Sequence, residues 1–188
     1  LRHLHHFDAF ERARGAGRWV PQPPCDPADC IVGVLGLGAI GRVVAGTLVS
    51  AGFRVRGHAR SLHHLAGVHC HAGEAGWLPF LQGLDALVAV LPATPDSRDL
   101  LNRAALARLA PGALVVNLGR GQHLVDGDLI ALLDAGHLGG AVLDVFREEP
   151  LPPGHPFWSH PKVLVTPHVA GVTRVAEAAE QVAEQVRA

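Results

Sequence analysis

Three side chains able to handle protons or anions stand where apolar runs end: Arg120, Glu149 and His168. Arg120 lies between two glycines in Asn117-Leu-Gly119-Arg120-Gly121, at the close of the run from Ala113 to Leu118. Glycines allow close backbone approach, and a guanidinium grips a carboxylate through two parallel hydrogen bonds. Glu149 follows the run from Gly140 to Val145, in a loop that also carries Asp144 and Pro150. His168 ends Thr166-Pro167-His168, after the run from Val163 to Thr166. A carboxylate beside an imidazole favours the charged ring, giving a proton donor and acceptor usable near neutral pH. Such residues need elements that deliver them to one place.

The elements are legible as an alternation. The run Ile31 to Leu35 predicts a buried strand, followed by Gly36-x-Gly38-x-x-Gly41 and a helix from Ile40 to Ala51. Further strands are predicted at Phe53 to Gly57, Val68 to Cys70, Asp85 to Leu91, Ala113 to Leu118, Gly140 to Val145 and Val163 to Thr166. Helices are predicted at Ser61 to His64, Gly73 to Leu84, Asn102 to Leu109, Asp126 to Ala135 and Thr173 to Arg187. Strands separated by helices, each strand apolar throughout, imply an α/β fold with a doubly wound parallel sheet of Rossmann type. In such sheets ligands bind beyond the carboxyl ends of the strands, which is where the three polar residues fall.

The strand, glycine loop and helix in that order suit a dinucleotide pyrophosphate. Gly36 permits the tight turn, Gly38 lets the backbone approach the phosphates, and Gly41 lets the helix pack close. The first helical amides and the helix dipole then face the anion. NAD-binding versions place an acid about 20 residues further on. No Asp or Glu occurs between Cys30 and Gly73, whereas Arg42, Arg54, Arg56 and Arg60 do. The second strand ends in Gly57-His58-Ala59-Arg60-Ser61. An arginine and a hydroxyl there suit the 2′-phosphate of NADP, so NADP(H) is favoured and NAD(H) is the alternative. The other reading of these arginines is ordinary surface charge. Thr94, in Pro92-Ala-Thr94-Pro95, either touches the cofactor or starts a turn.

Composition narrows the classes. The chain has 188 residues, is 48% hydrophobic and carries a net charge of −1. That balance provides no field for nucleic acid or anionic membranes, and no apolar run reaches the roughly 18 residues of a membrane span. The three cysteines, Cys25, Cys30 and Cys70, form no regular framework, so a cytoplasmic, reducing setting is expected. His63, His64, His69 and His71 cluster around Cys70 without regular ligand spacing, so no metal site is expected.

The motifs together resemble the D-isomer-specific 2-hydroxyacid dehydrogenase family. They are Gly36-Leu-Gly38-Ala-Ile-Gly41, Leu91-Pro-Ala-Thr94, Asn117-Leu-Gly119-Arg120-Gly121, Leu143-Asp144-Val-Phe-Arg-Glu-Glu149-Pro150 and Thr166-Pro167-His168-Val-Ala-Gly171. Leu151-Pro-Pro and the strand end with Arg60-Ser61 are most similar to the glyoxylate/hydroxypyruvate reductase A group, which implies NADPH. The resemblance maps Arg120, Glu149 and His168 onto the catalytic trio and Asp144 onto a nicotinamide contact. It implies a cofactor site of Gly36, Gly38, Ala39, Ile40, Gly41, Arg60, Ser61, Leu91, Pro92, Thr94, Leu118, Gly119, Arg120, Asp144, His168 and Gly171. The implied reaction moves hydride from NADPH to a small 2-keto acid of the glyoxylate or hydroxypyruvate type. A dinucleotide-sensing or corepressor-like module, or an inactive cofactor domain, are the alternatives on the same fold.

Family members also have a substrate domain, mostly from the chain before the cofactor domain, and are expected to be homodimers. Here about 24 residues precede Cys25, with no methionine, so an N-terminally truncated chain is expected. Residues 1–24 read as a remnant helix, with apolar Leu1, Leu4, Phe7 and Phe10, and a stiff proline linker. Residues 25–171 read as the dinucleotide-binding domain and 172–188 as a helix returning toward the substrate domain.

Overall fold

Short apolar runs that bury both faces become parallel strands when helices cover those faces. The computed structural model describes residues 7–23 and 26–171. Among these it contains a seven-stranded, all-parallel sheet in the order β3-β2-β1-β4-β5-β6-β7. The strands are β1 (Ile31–Leu35), β2 (Arg54–Ala59), β3 (Val68–Ala72), β4 (Ala86–Ala89), β5 (Ala113–Asn117), β6 (Leu138–Leu143) and β7 (Val163–Val165). The chain builds outward from β1 to β3, then crosses back and builds outward from β4 to β7. The reversal of strand order between β1 and β4 creates the crevice in which doubly wound sheets bind ligands.

The helices are α1 (Phe7–Gly15), α2 (Ala39–Ser50), α3 (Gly73–Leu81), α4 (Arg103–Leu106) and α5 (Asp126–Asp134). Neighbouring residues of β1 feed two separate cores. Val34 joins Leu37, Ala45 and Val55, whereas Leu35 joins Phe80, Leu87, Leu106, Val115, Leu129 and Leu133. Successive side chains of a strand point to opposite faces, so the two clusters lie on opposite sides of the sheet.

Several boundaries differ from the sequence reading for physical reasons. No helix forms at Ser61 to His64; His63 instead pairs with Arg42, and Leu65 bridges to Val68. The predicted helix from Asn102 to Leu109 is one turn, capped by the Asn102 side chain accepting from Ala105 N–H. Strand β6 starts at Leu138 and ends at Leu143, earlier than predicted: Leu138 and Gly140 pair with Ala113 and Leu114 of β5, and Gly139 is the extra residue at the irregularity between those pairs. Among the described residues the first helix is Phe7–Gly15, which carries Phe7 and Phe10 of the predicted remnant helix. Residues 1–6, the helix predicted at Thr173 to Arg187 and the segment 172–188 lie outside the described residues. Among the described residues no helix is long and apolar enough to cross a membrane.

Candidate active site

The glycine loop takes the form its spacing predicts. Gly36 leaves β1 with φ +100°, a backbone conformation that disfavours side chains. A Cβ on Gly41 would lie 1.7 Å from the Gly36 carbonyl oxygen, so only glycine lets α2 start this close to the strand. Gly38 is the N-cap of α2, has open space around it and provides no side-chain cap. The exposed Ala39 and Ile40 follow it. The first-turn N–H groups of α2 therefore meet no capping side chain, which fits a pyrophosphate bound by amides and the helix dipole.

On the far side of the crevice, β4 runs into Leu91 and Pro92. Thr94 starts the turn Pro95–Ser97: its N–H donates to Ser97 Oγ at 2.9 Å, and its hydroxyl lies 3.2 Å from the same oxygen. The turn role is thus realised, and the Thr94 residue itself is exposed.

The Arg120 loop is held from below by two fully buried polar residues, Asn117 and His123. Asn117 donates to the Arg120 carbonyl at 3.0 Å and accepts from Gly119 N–H at 3.2 Å. His123 Nδ1 accepts from Arg120 N–H at 3.2 Å, which leaves Nε2 to donate to the Pro92 carbonyl, also at 3.2 Å. Burial pushes the His123 pKa down; the Pro92 bond opposes this and the Arg120 charge adds to it. The ring is therefore a neutral strut between the loops after β4 and β5. Sequence reasoning missed it. The available signal was a histidine three residues after Arg120 at the end of a one-turn helix, Gly121–His123.

The glycines flanking Arg120 have separate causes. A Cβ on Gly119 would lie 2.8 Å from the Leu91 carbonyl oxygen. One on Gly121 would lie 1.8 Å from the Phe146 carbonyl carbon. The Arg120 loop thus packs directly on the backbone of the loop that delivers Glu149. The exposed Arg120 guanidinium donates one N–H to the Gly119 carbonyl at 2.6 Å.

Glu149 and His168 meet. His168 Nδ1 lies 2.7 Å from Glu149 Oε2, and Glu149 Oε1 accepts from Phe146 N–H at 2.8 Å. Burial alone would raise the Glu149 pKa. The bonds from His168 and Phe146 and the charges of His168 and Arg120 outweigh burial and hold it below the usual carboxylate range. An ionised carboxylate only accepts, so His168 Nδ1 carries the proton in this pair and Nε2 is the ring atom left for exchange. The His168 side chain is 46% exposed, open enough for a reactant to reach it.

Asp144 explains how His168 is presented. Its carboxylate is 1% exposed. Oδ1 accepts from Thr166 Oγ1 at 2.5 Å and from Val169 N–H at 2.9 Å, and Oδ2 from Ala170 N–H at 2.9 Å. The residue between these anchors, His168, has φ 54°, uncommon for a side chain other than glycine. Burial works to raise the Asp144 pKa, but these bonds and the His168 charge bring it below the ordinary value. Gly171 closes this segment and is exposed.

At the other end of the crevice, β2 delivers Arg60 and Ser61, both exposed. Arg42 of α2 reaches toward the same loop. Its Nε donates to the Leu37 carbonyl at 3.0 Å, and its Nη2 lies 3.2 Å from His63 Nδ1.

A glycine cradle at the strand-order reversal, with an acid–base pair at neighbouring strand ends, defines a dinucleotide-binding domain of the doubly wound class. Residues 1–170 match the model described as D-isomer specific 2-hydroxyacid dehydrogenase, NAD binding domain. The chain belongs to that family. It is 42% identical over 188 residues to a glyoxylate/hydroxypyruvate reductase A of Serratia proteamaculans (strain 568), covering all of this chain and 60% of that protein. Against the protein of the same description from Photorhabdus laumondii it is 43% identical over 187 residues, with the same coverage. The chain thus spans about 60% of the length of these curated relatives.

Among solved structures, a D-isomer specific 2-hydroxyacid dehydrogenase from Xanthobacter autotrophicus Py2, in complex with NADPH and MES, superposes with a TM-score of 0.94 at 44% identity. That match covers 99% of this chain and 77% of the other. An NADPH-dependent glyoxylate/hydroxypyruvate reductase from Sinorhizobium meliloti, in complex with NADP and sulfate, gives 0.93 at 38% identity, covering 99% and 60%.

Proposed function

We propose that this chain is the cofactor-binding and proton-handling part of an NADPH-dependent 2-keto acid reductase, acting on a small substrate of the glyoxylate or hydroxypyruvate type. The observation that carries the reading is the 2.7 Å contact between His168 and Glu149 beside the Arg120 loop. The names of the relatives and the NADPH and NADP complexes of the neighbours support it.

The cradle of Gly36, Gly38 and Gly41 and the start of α2 would hold the pyrophosphate, with Arg60 and Ser61 at the 2′-phosphate. When bound, NADPH supplies hydride to the ketone carbon of the substrate. Arg120 holds the substrate carboxylate and stabilises charge growing on the ketone oxygen. His168 delivers its Nε2 proton to that oxygen. Glu149 fixes the ring through Nδ1. Asp144 holds the backbone on both sides of His168 and so aims the ring. On this reading residues 25–171 form the dinucleotide-binding domain, and the whole protein works as a homodimer in the cytoplasm.

The test is His168→Ala. Turnover of glyoxylate or hydroxypyruvate with NADPH should fall by about 10²–10⁴-fold, the usual contribution of a general acid. NADPH affinity, read by fluorescence titration, should stay within about threefold, since a general acid acts on substrate rather than on cofactor affinity. An equal loss of affinity would remove His168 from its assigned role. Because the chain spans about 60% of its relatives, turnover is measured both in these 188 residues and in a fusion that adds a relative's remaining residues. Binding without turnover in both would favour a dinucleotide-binding module.

A further inference from the structure

Arg42 occupies an unusual position between two loops. Through Nε it holds the Leu37 carbonyl of the glycine loop, and through Nη2 it meets His63 Nδ1 in the loop after β2. A guanidinium has only donors, so His63 Nδ1 must be the accepting nitrogen, and the ring is neutral with its proton on Nε2. The pair spans the two loops between which the adenosine ribose of a dinucleotide lies in this fold. Arg60 and Ser61 stand three and two residues before His63 in the same loop.

We propose that Arg42 and His63 complete the 2′-phosphate site with Arg60 and Ser61 and set the preference for NADP(H) over NAD(H). This rests on the cofactor reading above and adds two residues and a proton to it. Arg42 exchanges its neutral acceptor, His63 Nδ1, for a phosphate oxygen. His63, released from Arg42, takes up a proton and donates to the same phosphate. NAD(H), with a hydroxyl at that position, offers neither the exchange nor the charge.

The electrostatic surroundings favour an anion. His63 is faced by Arg42 from α2, and shares a concavity with His64 of its own loop and with His69 and Cys70 of β3; Arg60 lies three residues before it in sequence. No carboxylate occurs in the sequence from Cys30 to Gly73. A proton on His63 without phosphate would face Arg42 at hydrogen-bond distance, and phosphate removes that repulsion. Preference for NADP(H) contributed by His63 therefore grows as pH falls, because uptake of the proton is part of phosphate binding. The ligand's own titration has the opposite sign, since a phosphomonoester loses charge below about pH 6. The two effects separate in a variant that keeps an acceptor but cannot be protonated.

The experiment measures NADPH and NADH dissociation constants for the 188-residue chain, His63→Gln and Arg42→Gln, from pH 8 to pH 6. Arg42→Gln should weaken NADPH at least about tenfold, as expected for a lost charge-assisted hydrogen bond, and leave NADH within about twofold. His63→Gln should match the unmodified chain at pH 8 and bind NADPH about three- to tenfold more weakly at pH 6, because proton uptake coupled to phosphate binding is favoured at lower pH. NADH binding serves as the folding control for each variant. Unchanged NADPH-to-NADH ratios in both variants across the range would overturn the inference while leaving the NADPH reading intact. Equal loss of both dinucleotides in Arg42→Gln would also overturn it, by confining Arg42 to support of the glycine loop. An unmodified chain without preference for NADPH would overturn the cofactor reading itself and this inference with it.

Discussion

Asp144 is a buried charge whose carboxylate, among the described residues, accepts hydrogen bonds from one short segment. A carboxylate lone pair meets an amide N–H at Val169 and another at Ala170, with the Thr166 hydroxyl between them. Asp144→Asn places an amide NH₂ where an acceptor is required and leaves a buried N–H unpaired. It should destabilise the fold by about 1–3 kcal/mol, the cost of an unsatisfied buried group. The pH dependence has a defined sign. A carboxyl whose folded pKa is depressed stabilises the fold above the unfolded value near 3.9, and that contribution is lost as pH falls through the folded pKa. Melting curves from pH 7 to pH 3 should show the unmodified chain losing this contribution below about pH 4, with a smaller acid loss in Asp144→Asn. Equal acid slopes would place the linkage on other carboxylates.

Loops are the elements that join the site. Gly121 sits against the peptide of Phe146 and Arg147, and Arg147 in turn binds the Leu124 carbonyl and Asp99. Gly121→Ala must therefore push the Arg120 loop from the Glu149 loop. It should lower kcat/KM for the keto acid at least about tenfold, in line with small misplacements of catalytic groups. NADPH affinity, read in the same preparation, should change little, because the cradle lies at β1 and α2. Much of this arrangement was legible beforehand. Arg120, Glu149 and His168 were found because each follows a continuous apolar run, and the fold rule puts ligands at such ends. Asn117 appeared only as part of a motif, and His123 and the Arg42–His63 pair not at all. Their roles depend on contacts across loops from different strands, which no local periodicity encodes. The resemblance maps Asp144 onto a nicotinamide contact, and its protein partners, the Val169 and Ala170 amides and the Thr166 hydroxyl, are a second role that the sequence does not display. The start of β6 was placed two residues late because Leu138 and Gly139 precede a glycine and look like the end of a turn, and only the pairing of Leu138 with Ala113 of β5 brings them into the strand.

For the molecule as a whole, the sheet is the rigid reference against which these loops are placed. Phe80 is fully buried in the larger core, packs on His58 and Trp77, and would be met by any side chain on Gly33 of β1. Phe80→Ala should cost about 3–5 kcal/mol in urea unfolding. Val43→Ala, at a position 70% exposed on α2, should stay within about 0.5 kcal/mol. A small effect at Phe80 would mean that the helices carry less of the stability than their packing implies. The strand order has a further consequence for how the protein comes into being. From β4 onward each strand adds to the edge left by its predecessor, and the chain is synthesised in that same direction. The glycine loop at β1 and α2 is therefore translated well before His168. On the proposed function, the groups that hold the dinucleotide precede in synthesis the residue that delivers the proton.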